Sequence, residues 1–154
     1  MSLFNIFQIT AQGMTAQRER LEAASANLAN SNTTRTAEGG PYRRRDVVFE
    51  AADLSSPQQL PRFGSLFDDL SVEVGQPAQG VKSTTLIAQS DNGVRRYDPS
   101  HPDADANGYV TMPDVDPLEE TVNMMSAARS FEANSTAFNT AKEMARASLK
   151  LGDV

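Results

Sequence analysis

The chain contains no cysteine, no tryptophan, a single histidine and few aromatic residues, 6% in all. Without cysteine there can be no disulfide and no thiolate metal site, and the chain is indifferent to the redox compartment. One histidine leaves any zinc site dependent on carboxylates for its remaining ligands. No apolar run approaches the length of a membrane span, about 20 residues. A basic stripe is also missing. The formal charge is −6, from 14 Lys+Arg against 20 Asp+Glu, which argues against nucleic acid as a partner. The N-terminus has neither a basic region nor a uniform apolar stretch, since Asn5, Gln8, Thr10, Gln12 and Gln17 interrupt it. If the protein leaves the cytoplasm, the expectation is that it does so without a cleaved signal.

What the chain does have is two long helix-forming stretches at its ends. The first runs from Leu3 to Asn30, and the second from Asp116 to about Lys150. Asp116 can cap free backbone N–H groups, Pro117 suits the first helical position, and Glu119 falls where a reciprocal capping box closes. At 1.5 Å per residue the helices span roughly 40 and 50 Å. Phe7, Met14, Leu21 and Leu28 are spaced by seven, as are Met124, Phe131, Phe138 and Ala145. Val122, Met125, Ala141 and Met144 widen the second seam. Two seams of similar size predict an antiparallel, coiled-coil-like pair. Ala16, Ala23, Ala24, Ala26 and Ala29 let another helix approach closely. Gly13 either permits that approach or marks a weak joint. Apolar surface is left over after pairing, which points to assembly.

The middle has a different composition, with eight basic and thirteen acidic groups between residues 35 and 118. Ser31 to Pro41 is a polar exit with strong breakers. Strands are predicted at Tyr42–Glu50, Ser71–Val74, Val81–Ala88, Val94–Tyr97 and Tyr109–Met112, with a loop at 51–70 pinned by Leu60, Phe63, Leu66 and Phe67. Asn92-Gly93 signals a tight turn joining Leu86-Ile87 to Val94-Arg95. Arg43-Arg44-Arg45 reads as a solvated strand edge. The expectation is an α+β chain in three parts: 1–34 with the first helix, 35–114 as a small β-rich lobe, and 115–154 with the second helix.

Chemistry is sparse. Asp103-Ala104-Asp105-Ala106-Asn107-Gly108 matches the first half of a calcium loop, but position twelve is Asp114 after Pro113, and no helix leads in. An Asx-rich turn is the better reading, with His101, Pro102, Asp105, Gly108 and Tyr109 as its structural residues. Ser100 beside His101 is adjacency and not a catalytic triad. No phosphate loop or dinucleotide fingerprint is present, so neither an enzyme nor a cofactor is expected. Asn27 and Asn134, near the seams and flanked by small residues, are candidates for buried interhelical hydrogen bonds that fix register. Asn27 and Asn30 at the end of the first helix form the site singled out most strongly.

Ser25-Ala26-Asn27-Leu28-Ala29-Asn30 resembles the signature of the flagellar axial proteins, the rod and hook family. His101-Pro102, Gly108-Tyr109-Val110, Glu120 to Met125, Ala128 to Asn134 and Ala141-Lys142 resemble that family's closing module. Pro41-Tyr42-Arg43, Val47-Val48-Phe49 and Tyr97-Asp98-Pro99 narrow the likeness to its proximal rod subunits. The resemblance implies a structural subunit, exported unfolded by the flagellar type III apparatus and polymerising in the periplasm. Its partners would be copies of itself, other rod proteins, basal-body rings and export-gate components. The assembly interface would draw on Phe7, Met14, Leu21, Asn27, Leu28, Asn30, Met124, Met125, Phe131, Asn134, Phe138, Ala141 and Ala145. Two other classes compete: an export-associated adaptor binding partner helices, and a hydrolase, which would require a cleft with an acid and base pair in a chain expected to be too short to append a wall-cleaving domain to the rod module.

Overall fold

A computed structural model of the chain describes residues 3–53, 79–88 and 93–151. The helix α1 covers Leu3–Ala29, followed by strands β1 (Arg45–Asp53), β2 (Gln79–Ile87), β3 (Val94–Tyr97) and β4 (Tyr109–Met112), then helix α2 (Pro117–Leu151). The fold class is α+β. Most of the expected loop at 51–70, the Ser71–Val74 strand, the Asp91-Asn92 turn and the Gly152 stop lie outside the described residues.

The two helices pack antiparallel. Phe7 meets Phe138 edge-to-face at 5.1 Å, Gly13 faces Asn134, and the Arg20 guanidinium donates to Asn123 Oδ1 at 3.2 Å. The start of α2 is capped as its composition demands, with the Leu118 N–H donating to Asp116 Oδ1 at 2.8 Å. Glu119 does not close the box back onto Asp116. Both of its carboxylate oxygens accept from Arg44 instead. At the same end of the pair, α1 stops where Asn30 Nδ2 donates to the Ala26 carbonyl at 2.9 Å and Asn30 Oδ1 accepts from the Thr33 hydroxyl at 3.1 Å.

What fills the helical pair is smaller than the heptad seams suggest. The buried apolar side chains among the described residues are Ala16, Ala23, Ala24, Ala127 and Ala141, plus Val110 in the lobe. Thr10, Asn27 and Glu120 are buried with them. In α2 the sevenfold line turned most toward α1 therefore runs Glu120, Ala127, Asn134, Ala141, buried except for the half-buried Asn134, one helical row from Met124–Ala145. The reason is steric: alanine lets the helix axes approach closely, so bulky residues are displaced to the flanks. Gly13 belongs to this logic. A Cβ there would sit 2.9 Å from Asn134 Nδ2, so the glycine admits Asn134, and α1 runs through it unbroken.

β1 and β2 form an antiparallel hairpin from Arg45↔Ile87 to Asp53↔Gln79. It lies along α1, leaving α1 between α2 and the hairpin. β1 begins three residues later than predicted and continues three residues into the expected loop. β3 and β4 form a separate two-stranded sheet from Val94↔Met112 to Tyr97↔Tyr109. The expected β2–β3 hairpin is not formed. Gly93 is instead needed where β3 enters against β4, because a Cβ on it would collide with the Met112 carbonyl and the Thr111 methyl. The local turn signal loses to the longer-range pairings.

Candidate functional site: the helical pair and its joint to the lobe

The joint is built on Asn27, which is 1% exposed. Its Nδ2 donates to the Arg45 carbonyl at 2.8 Å, and its Oδ1 accepts from the Arg45 N–H at 2.8 Å and the Tyr42 hydroxyl at 3.0 Å. Arg45 faces Ile87 in a pair that shares no ladder bonds, since the neighbouring Ala88 N–H reaches the Arg44 carbonyl. Its own N–H and C=O thus point away from β2, and Asn27 takes both as a third strand would. This differs from the expected interhelical role: Asn27 ties helix to lobe, and it is Asn123 that bonds across the helices. Further along α1, Gln12 Oε1 accepts from the Val81 N–H at 3.1 Å, engaging the outer edge of β2 in the same manner.

Arg44 supplies the second half of the joint. It was expected at a solvated strand edge, yet its side chain is 25% exposed and faces Asp46, Glu119 and Glu120 at 3.1, 3.0 and 3.0 Å. The approach to Glu120 is an ion contact and not a hydrogen bond, because neither Arg44 Nε nor Glu120 Oε1 has a bonding partner in suitable geometry. The hydrogen bond to Glu119 holds the guanidinium pKa above its usual range against burial, with Asp46 and Glu120 acting in the same direction. Tyr42 is likewise pushed up, chiefly by burial, with Arg45 opposing and Glu120 adding. Nothing local in the sequence marks Arg44, Glu119 and Glu120 as partners, since 75 residues separate Arg44 from Glu119.

The other residues singled out in the sequence fall into three groups. Phe7, Met14, Leu21, Leu28, Asn30, Met124, Asn134, Phe138 and Ala145 are half-buried, Ala141 is buried, and Met125 and Phe131 are exposed. In the lobe, Asp105 Oδ1 accepts from the Asn107 and Tyr109 N–H groups at 2.8 and 2.9 Å, while Oδ2 meets Arg95 at 2.7 Å. These bonds, led by that from Tyr109, hold the Asp105 carboxyl below its ordinary pKa. Asp103 turns away to the Thr34 hydroxyl at 2.7 Å, so the two carboxylates do not converge on a cation position. His101 Nδ1 accepts from the Asp103 N–H at 3.1 Å. Gly108 has φ +79°, which disfavours any side chain, and packs tightly under Tyr97 and Pro99. Tyr97 and Tyr109 stack edge-to-face at 5.3 Å. This is a pinned turn, and Thr34 fastens it to the exit of α1.

Residues 7–35 match the family described as flagella basal body rod protein, and residues 106–151 match that described as flagellar basal body rod FlgEFG protein C-terminal. The flagellar basal-body rod protein FlgC of Borreliella burgdorferi is 39% identical, with 98% of each chain covered. Those of Bacillus subtilis and Salmonella typhimurium are 38% and 39% identical, with 99% of each chain covered. The chain belongs to the FlgC family. It is a structural subunit of the flagellar basal-body rod and not an enzyme. The two matched regions coincide with α1 and its exit, and with β4 and α2. Asn27 lies in the first and Glu119 and Glu120 in the second, while Tyr42, Arg44 and Arg45 sit between them.

Proposed function

We propose that the chain is a proximal-rod subunit that polymerises in the periplasm into the shaft transmitting motor torque. In this reading it is exported through the flagellar type III apparatus without signal cleavage. It assembles with copies of itself and other rod proteins, and meets ring and export-gate components on the way. The helical part, 1–34 with 115–154, carries the polymer contacts, and the lobe at 35–114 rides on it. Phe7, Met14, Leu21, Asn27, Leu28, Asn30, Met124, Met125, Phe131, Asn134, Phe138, Ala141 and Ala145 belong to the assembly surface, either in contact or in support.

The observation that carries this reading is the poverty of the core. Five alanines and one valine are the buried apolar side chains among the described residues, each alanine methyl worth about 0.8 kcal/mol. Ordering a residue costs about 1–2 kcal/mol of backbone entropy. Meanwhile Leu118, Val122, Met125, Phe131, Met144 and Leu149 stand 40% to 73% exposed on α2. A helix with that surface is completed by neighbours. The test is complementation of a Salmonella typhimurium strain lacking its FlgC. Swimming restored, with the chain recovered in purified basal bodies, supports the proposal; secretion without incorporation contradicts it.

A further inference from the structure

At about 100° per residue, α2 divides into three sectors. One faces α1 through Glu120, Ala127, Asn134 and Ala141. A second carries the charges Glu132, Lys142, Glu143, Arg146 and Lys150. The third runs from Leu118 through Val122, Met125, Ala133 and Ala137 to Met144, with Arg129 at its centre and the carboxylates Glu119 and Glu143 at its two borders. Leu118, Val122, Met125 and Met144 on it are each more than half exposed. Its C-terminal half borders a shallow, open depression of about 560 Å³ between Ile6 of α1 and Ala133, Thr136, Ala137, Thr140, Ala141 and Met144 of α2. The outward line of α1, between its α2-facing and hairpin-facing sides, is Ala11, Thr15, Arg18, Glu22, Ser25 and Ala29, all exposed or nearly so. Arg18 and Glu22 meet there at 3.5 Å, both about two-thirds exposed.

We propose that the third sector of α2 receives the outward face of α1 from a second copy of this chain, antiparallel, with Arg129 opposite Glu22. The proposal rests on the rod reading and says which faces make its contacts. Three arguments select this occupant. Large residues on α2 meet Ala11, Thr15, Ser25 and Ala29 on α1, and in this register Val122 to Met144 lies against residues 7–29 of the 27-residue α1. Charge agrees as well: with Arg129 on Glu22, Glu132 falls beside Arg18. Direction agrees too. In a polar array of like-oriented copies the neighbour's α1 runs parallel to this copy's α1, hence antiparallel to α2. The contact is heterologous, since donor and acceptor faces differ, so it propagates instead of closing a dimer. A strip roughly 40 Å by 10 Å covers on the order of 400 Å² per partner, half of what a stable isolated pair needs. Free copies should therefore associate weakly and hold firmly only where each makes the contact on both sides.

The absence of cysteine makes the test direct. Stepping by seven from Arg129 and Glu22 brings Thr136 opposite Thr15, whereas a parallel contact would bring Thr136 opposite Ala29. Two single variants of the full chain, Thr15→Cys and Thr136→Cys, are mixed at high concentration and mildly oxidised. The expected result is mixed dimer well above the half-share given by random pairing, with no such enrichment for Ala29→Cys with Thr136→Cys. Adding Arg129→Glu to one chain should cut the yield severalfold, and Glu22→Arg in the other should recover it. Random yields, equal enrichment for the Ala29 pair, or cross-links in cells only to a different rod protein would overturn the proposal. Recovery of the unsubstituted chain from basal bodies judges the rod reading separately.

Discussion

Asn27 does with one side chain what an added strand does with its backbone, satisfying both outward groups of Arg45 and the Tyr42 hydroxyl. Leucine at this position would leave three part-buried groups without these partners, at about 1–3 kcal/mol each where no water reaches them. Asn27→Leu should thus lower the unfolding midpoint and abolish hydrogen-exchange protection of the Arg45 amide, while the Phe7–Phe138 contact persists. Rod assembly should fail because the lobe is loose. Retained Arg45 protection would contradict this. At Gly13 two small effects oppose each other. Alanine gains about 1 kcal/mol of helix propensity but displaces the Asn134 amide. Gly13→Ala should be near neutral alone and stabilising by about 1 kcal/mol in an Asn134→Ala background, as read by chemical denaturation of all four chains. Tyr42 adds a pH dependence. Its pKa is raised above 10.0 in the fold, so its contribution is intact below pH 10 and is lost as pH rises through the folded value. Ionisation also removes the proton it donates to Asn27. A lobe-specific loosening above pH 10 should appear and should vanish in Tyr42→Phe; its survival in that variant would assign it elsewhere.

At the scale of elements, Arg44 joins the approach to β1 with the first turn of α2. Removing it strands Glu120, 2% exposed, as a buried charge without a counter-ion, which typically costs about 3–5 kcal/mol. Arg44→Met should destabilise by that order, and Glu120→Gln added to it should restore most of the loss; additive losses would show that the two do not act together. The extents of the helices were legible because breakers and a capping aspartate state them locally. Strands β3 and β4 were legible for the same reason, between Gly93, Asp98, Gly108 and Pro113. Their pairing was not, because Asn92-Gly93 describes only a local preference, and contacts between distant segments decide which strands meet. The seams were legible in spacing and rotated in fact. A sevenfold search weights large side chains, whereas alanine and glycine set the distance between these helices. Asn27 stood out by type and place, but its partner lay 18 residues on, in a strand whose outward edge no local pattern displays.

The described residues form three layers, with α1 between α2 and the first hairpin, and a second hairpin pinned to the exit of α1 through Thr34 and Asp103. Polar ties hold these layers in place and alanines fill them. Such a design fixes relative positions with little buried apolar area, which suits a subunit finished by its neighbours. α2 is the layer left open, with Glu120, Ala127 and Ala141 its only buried side chains among the described residues. The most direct test is a cryo-electron microscopy map of intact basal bodies from a strain whose only FlgC-family protein is this chain. The account predicts the chain within the rod, α1 and α2 antiparallel, and the Leu118–Met144 face covered by a neighbouring subunit. A chain found outside the rod, or a rod in which that face of α2 looks onto solvent, would contradict it.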